Sequence, residues 1–260
     1  MSGSLARRAL AEMLGTGLLV TAVVGSGVMA TQLSPRDVGL QLLENAIATA
    51  FALGVLILVF GPASGAHFNP VVSVADWWLG RRGQTGLRAA ELGVYTAAQL
   101  VGAIGGAVLA NLMFNLAAVS WSTKDRSASH LWLGEVVATA GLVLLIFALA
   151  RSHRSAATPA AVGAYIGAAY WFTSSTSFAN PAVTIGRAFS DTFAGIAPGS
   201  LAGFIAAQLV GAVLGVALLS ALYPRPTGRD QVVLPSTVDG RTPESIVDRS
   251  GRGHKEFDSV

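Results

Sequence analysis

Apolar residues run through this chain in long blocks, without the alternation of a half-buried strand or the single stripe of a soluble helix. The blocks cover roughly 9–30, 42–60, 89–113, 131–150, 159–173 and 199–222. Crossing a hydrocarbon layer ~30 Å thick takes ~20 helical residues, and most of the blocks reach that length. The block at 159–173 is shorter, but its Gly163 and Gly167 suit a crowded membrane helix. The pattern predicts an all-α membrane protein with six transmembrane helices. Two polar interruptions break it: Ser64-Gly65-Ala66-His67-Phe68 after the second block, and Ser174-Ser175-Thr176-Ser177-Phe178-Ala179 after the fifth.

Each interruption leads into a near-copy of one motif, Asn69-Pro70-Val71-Val72-Ser73 and Asn180-Pro181-Ala182-Val183-Thr184. Asn caps free N–H groups at a helix start, and Pro suits the first helical position because its missing N–H had no partner there. The spacing predicts helices over 69–79 and 180–190, each ~16 Å long and so about half the hydrocarbon thickness. Other landmarks repeat in the same order. Glu12-Met13-Leu14-Gly15-Thr16 resembles Glu135-Val136-Val137-Ala138-Thr139, and Ala98-Gln99-Leu100-Val101-Gly102-Ala103 recurs letter for letter at 207–212. Each half carries three crossings, an odd number, so the halves have opposite topology about an axis in the membrane plane. Two half-helices entering from opposite faces then meet tip to tip, N-termini inward. Irregular chain at that depth survives where it lines a watery cavity or is buried in protein. Carbonyl acceptors, two positive helix ends and two Asn amides make a narrow path for neutral hydrogen-bonding molecules, and the helix-end field repels cations. Gly102 and Gly106, with Gly211 and Gly215, fit close helix crossing.

Composition agrees with a membrane setting: of 260 residues 52% are apolar and 12% charged, and the mean hydropathy is +0.58. The absence of cysteine excludes disulfides, thiolate metal sites and Cys-based catalysis, and no cofactor or metal is expected. The pI near 9.7 comes from Arg residues at segment ends and gives no basic face for nucleic acid. Arg7 and Arg8, then Arg81, Arg82 and Arg88, then Arg151 and Arg154, then Arg225 and Arg229 fall on one side of the six crossings. The opposite loops hold only Arg36, Lys124 and Arg126, so the positive-inside bias puts both termini in the cytoplasm. Glu12 and the length of the first block argue against a cleaved signal peptide. The channel domain is expected over 1–223, with one repeat at about 8–113 and the other at about 131–222. Residues 224–260 read as a polar, disordered cytoplasmic tail.

Along residues 1–223 the chain resembles the aquaporin and aquaglyceroporin (major intrinsic protein) channels. The resemblance rests on Ser64-Gly65-Ala66-His67-Phe68-Asn69-Pro70-Val71, Asn180-Pro181-Ala182, the paired Glu12 and Glu135, and the Ala-Gln repeats. It implies six tilted helices plus two re-entrant half-helices, one pore per subunit and a homotetramer in the lipid bilayer. It also implies that Asn69 and Asn180 donate to passing solute while Glu12 and Glu135 brace the loops. Two departures from the family pattern bear on selectivity. The first motif ends in Val71 instead of Ala, which is expected to narrow or dry one side of the centre. Val183 follows the second motif, where water- and glycerol-selective members place Arg. Counting outward from the motifs gives a selectivity filter of Thr49, Ala168 or a neighbour on the fifth span, Ser177 and Val183, wide and uncharged. Arg187, four residues beyond Val183, is expected to be a capping or loop partner with Asp191 available to it, and Asp76 likewise in the first repeat. The Val-for-Arg replacement resembles a bacterial branch associated with arsenic detoxification. It implies arsenous acid, glycerol and water as permeants in a bacterial inner membrane.

Two other classes fit the sequence less well. Ala63-Ser64-Gly65 resembles the nucleophile segment of rhomboid-like intramembrane proteases, but no histidine lies in the middle of a block, so an enzyme is not expected. An ion-coupled secondary transporter, the alternative reading, needs titratable or ion-coordinating groups at the midplane, where this chain has Asn69 and Asn180.

Overall fold

The computed structural model describes residues 4–81 and 85–223; Arg82 and the tail expected over 224–260 lie outside the described residues. Every predicted block forms a helix. In chain order these are α1 (Leu5–Leu33), α2 (Val38–Ser64), α3 (Pro70–Gly80), α4 (Ala89–Met113), α5 (Ser129–Arg151), α6 (Thr158–Phe172), α7 (Pro181–Arg187) and α8 (Leu201–Leu222). Among the described residues, α1, α2, α4, α5 and α8 are long and apolar enough to cross a membrane. The 15 residues of α6 span ~22 Å and are extended by a 3-10 turn over Ser155–Ala157.

The repeat read from the landmarks is visible in the packing. Helix α1 lies against α4 as α5 lies against α8, and α2 packs on α6 across the two halves. The glycine pairs make the first two contacts possible. A Cβ on Gly102 or Gly106 would stand 2.1 Å from the carbonyl oxygen of Met13 or Gly17 on α1. One on Gly211 or Gly215 would stand 2.6 Å from that of Val136 or Ala140 on α5. Within an apolar interior Glu12, Gln99, Glu135 and Gln208 are fully buried, while Phe51, Leu58, Val101 and Val213 face outward. The apolar outer faces suit a lipid surround, and the buried carboxylates mark polar structure inside it.

One boundary differs from expectation. Helix α7 ends at Arg187 instead of 190 and is ~10 Å long, whereas α3 keeps the expected 11 residues. The N–H groups of Ala188 and Phe189 turn back to the carbonyls of Ile185 and Gly186, tightening the chain, and the Ser190 hydroxyl then donates to Asn111 Oδ1 at 2.6 Å. These bonds draw the segment off the helix axis.

Candidate functional site

The tips of α3 and α7 meet. Asn69 caps α3 by accepting from the N–H of Val71 (3.1 Å), and Asn180 caps α7 by accepting from Ala182 and Val183 (3.0 and 3.2 Å). Each amide then donates across the repeat axis: Asn69 Nδ2 to the Ala179 carbonyl and Asn180 Nδ2 to the Phe68 carbonyl, both at 2.7 Å. The loops feeding these caps turn through left-handed residues at matching places. Ala66 and Ser177 (φ 49° and 50°) lie three before the Asn, and Phe68 and Ala179 (φ 50° and 48°) directly before it. Such backbone costs about 1–3 kcal/mol per residue and persists only where its surroundings hold it.

The buried carboxylates hold it. Glu12 accepts from the Ser64 hydroxyl (2.6 Å) and the N–H groups of His67 and Phe68 (3.0 and 2.7 Å). Glu135 accepts from the N–H groups of Phe178 and Ala179, both at 2.8 Å. The glutamines of the Ala-Gln repeat complete both braces. Gln99 donates to Glu12 (2.8 Å) and Ser73 (3.1 Å), and Gln208 to Glu135 (2.6 Å) and Thr184 (2.8 Å). The Ser73 and Thr184 hydroxyls in turn bond the carbonyls of Asn69 and Asn180. The exact repetition of the Ala-Gln segment was the signal for this role, which spacing alone did not assign.

A cavity of ≈ 70 Å³ runs past the two caps, room for a short file of water-sized molecules at about 10–15 Å³ each. The long helices give it an apolar wall, with Leu19 and Val23 from α1, Leu53 from α2, and Leu142 and Ile146 from α5. The re-entrant loops give the facing polar wall, with Asn69, Ser177 and Asn180. Ser177 Oγ is buried there without a protein partner. Thr49 and Val183 line the same cavity, whereas Ala168 does not: it is exposed on the far face of α6, two residues and ~200° from both Ile166 and Tyr170, which do line it. The Tyr170 and Thr49 hydroxyls lie 3.2 Å apart. Counting back from Asn180 missed Tyr170 because the loop between α6 and α7 sets which face of α6 is presented. Val71 is likewise buried in the core and off the cavity, and its wall position is taken by Val72, the counterpart of Val183.

Arg187 also lines the cavity, so the wall is not uncharged as expected. Its Nε donates to the Ala194 carbonyl and its guanidinium lies 3.4 Å from the centroid of the Phe178 ring. Asp191 does not pair with it and instead accepts from the N–H of Thr123 at 2.9 Å. Asp76 is a loop partner as read, accepting from the N–H of Leu87 at 2.8 Å. Ser64, in the segment that resembles a protease nucleophile, is bonded to Glu12, and the neighbouring His67 to Ser73. Among the described residues no cluster of His, Asp or Glu could hold a metal.

Residues 1–177 match the family described as MIP, Major intrinsic protein. The chain belongs to the major intrinsic protein family. It is 53% identical to the aquaglyceroporin AqpS of Rhizobium meliloti strain 1021 over 215 residues, 83% of this chain and 89% of that protein. It is 34% identical to human aquaporin-2 over 84% of this chain and 79% of that one. The fold matches the X-ray structure of the aquaglyceroporin from Plasmodium falciparum with a TM-score of 0.63 at 20% identity, over 84% of this chain and 97% of that one. As a major intrinsic protein the chain is an integral membrane channel for small neutral solutes and not an enzyme.

Proposed function

We propose that the channel passes small uncharged molecules carrying several hydroxyl groups, with Thr49, Tyr170, Ser177 and Val183 forming its selective ring. The observation that carries this reading is the division of the cavity into an apolar wall from the long helices and a polar wall from the loops. A polyol or arsenous acid can turn its hydroxyls to Ser177, Asn69 and Asn180 while its remaining surface slides along Leu19, Val23 and Ile146. The buried, unpartnered Ser177 Oγ offers one such hydroxyl its hydrogen bond. Val183 stands where the resemblance leads one to expect Arg, and its short apolar side chain leaves room for a solute larger than water. The permeants proposed are arsenous acid, glycerol and water, in a bacterial inner membrane, through a homotetramer with both termini cytoplasmic and one passage per subunit. The apolar outer faces of the helices support a lipid and subunit surround, and the Arg-rich loops support the orientation. Stopped-flow permeability of proteoliposomes to the three solutes side by side tests the reading. Fast water flux with glycerol and arsenous acid no faster than through protein-free liposomes would refute it.

A further inference from the structure

We propose that the mouth at the C-terminal end of α7 binds a small oxyanion of phosphate size between Lys124, Arg126 and Arg187, and that the bound anion plugs the passage. The plugging, though not the binding, rests on the solute path proposed above. A cavity of ≈ 220 Å³ opens there, lined by these three cations, by Asn45 and Thr176, and by the apolar Val38, Leu42 and Phe193, with no carboxylate among them. It shares Arg187 with the central cavity.

None of the three cations is in an ion pair with a described residue. Lys124 Nζ donates to the Phe193 carbonyl (2.8 Å), Arg126 to the carbonyls of Gly195 and Ser175 (3.0 and 3.2 Å), and Arg187 Nε to that of Ala194. Among the described residues both ion pairs are made by Glu91, on α4. The nearby carboxylates have hydrogen-bond partners of their own: Asp191 accepts from Thr123, Asp125 from the Ser127 and Ser200 hydroxyls, and Glu135, on α5, from its loop brace, so that Glu135 reaches Arg126 and Arg187 only across space. Arg126 and Arg187 both lie against the Phe178 ring, 4.9 and 3.4 Å from its centroid, so two like charges share one aromatic face-holder. Partial burial, with the charges of Arg126 and Arg187, holds Lys124 down at about 8, and burial holds Arg126 at about 10.

The free valences point to what the site takes. The terminal guanidinium nitrogens of Arg187 make no hydrogen bond within the described residues and are not sealed from the cavity. A planar fork of donors matches two oxygens of one anion better than it matches a spherical halide. Apolar walls beside a single-sign cluster strengthen its field. An anion seated there goes no further, because beyond Thr49, one turn of α2 inward from Asn45, the wall turns to Leu53, Leu142 and Ile146, which cannot replace its water. It therefore occupies the mouth and excludes neutral solute.

The test titrates inorganic phosphate into the full-length, detergent-purified channel at constant ionic strength in chloride, following the phosphorus resonance. Lys124→Gln and Arg187→Gln serve as variants; Lys124 stands at the surface with only its ammonium end drawn in, and its one side-chain hydrogen bond goes to the Phe193 carbonyl, so Lys124→Gln is the milder change to the fold. Saturable binding that weakens at least fivefold in Lys124→Gln is expected. In proteoliposomes with phosphate on both sides, glycerol flux should fall with the same concentration dependence. Non-saturable binding, or equal binding by the wild type and Lys124→Gln, overturns the site. Saturation without slower flux overturns the plug. If the wild type carries no solute at all, the passage itself fails, while the titration alone still decides the anion site.

Discussion

Replacing Glu135 by Gln keeps shape and volume but removes one of the two acceptors on which the second loop depends. The carboxylate accepts three bonds: Phe178 N–H on one oxygen, Ala179 N–H and Gln208 Nε2 on the other. A carboxamide offers one oxygen, so its NH2 must face at least one donor in a fully buried place. Each hydrogen bond to a charged group contributes about 1.5–3 kcal/mol, and a buried donor left bare loses a further 1–3 kcal/mol. Glu135→Gln should therefore destabilise the fold by about 3–5 kcal/mol. For a domain of this size that lowers Tm by about 10 °C. The assay is thermal unfolding of the purified protein in one detergent, read beside glycerol flux in liposomes. Flux should fall as well, because the left-handed Ser177 and Ala179 are held through this brace. A Tm within about 2 °C of the wild type, with flux retained, would refute the view that the carboxylate holds the loop.

Gly106→Ala should sharply reduce folded yield, since its Cβ would stand 2.1 Å from the Gly17 carbonyl oxygen, while Gly105→Ala, with nothing within 4 Å, should be silent; size-exclusion profiles of the two variants decide. Val183→Arg should suppress glycerol and arsenous acid flux strongly and leave water flux largely intact, whereas Val183→Ala should preserve all three. Equal uptake of the large solutes by cells expressing Val183→Arg would show that Val183 is not in the ring. Lys124, held at about 8 beside Arg126 and Arg187, is charged below that pH and loses its proton above it. Block of glycerol flux by sulfate, whose own charge is fixed over this range, should be stronger at pH 7 than at pH 9, and a block independent of pH would contradict Lys124 as a contact.

The central architecture was legible because it is written twice. The Asn-Pro motifs, the paired glutamates and the glycine spacings each occur in both halves, so a chance match in one is checked by the other. What was not legible has no such second copy. The filter residue on α6 depends on how the chain turns between Phe172 and Asn180, and an error of two residues moves the choice from Tyr170 to the outward-facing Ala168. The early end of α7 depends on Asn111, a residue of a distant helix whose reach to Ser190 no local pattern announces. The sequence offers Arg187 only its near neighbour Asp191, but the ring that supports it, Phe178, and the carbonyl that receives it, Ala194, are placed by the tertiary fold.

The exchange of amides at the centre, Asn69 to the Ala179 carbonyl and Asn180 to the Phe68 carbonyl, has a bearing on how the chain is made. Synthesis delivers the first half long before residue 180 leaves the ribosome. During that interval the tip of α3 has an amide without its acceptor, and the Phe68 carbonyl waits without its donor, at a depth where lipid supplies neither. The first re-entrant segment therefore cannot reach its final depth alone, and the two halves must close over each other in one late, joint step. Separately expressed halves should each be a poor membrane protein and together a competent one.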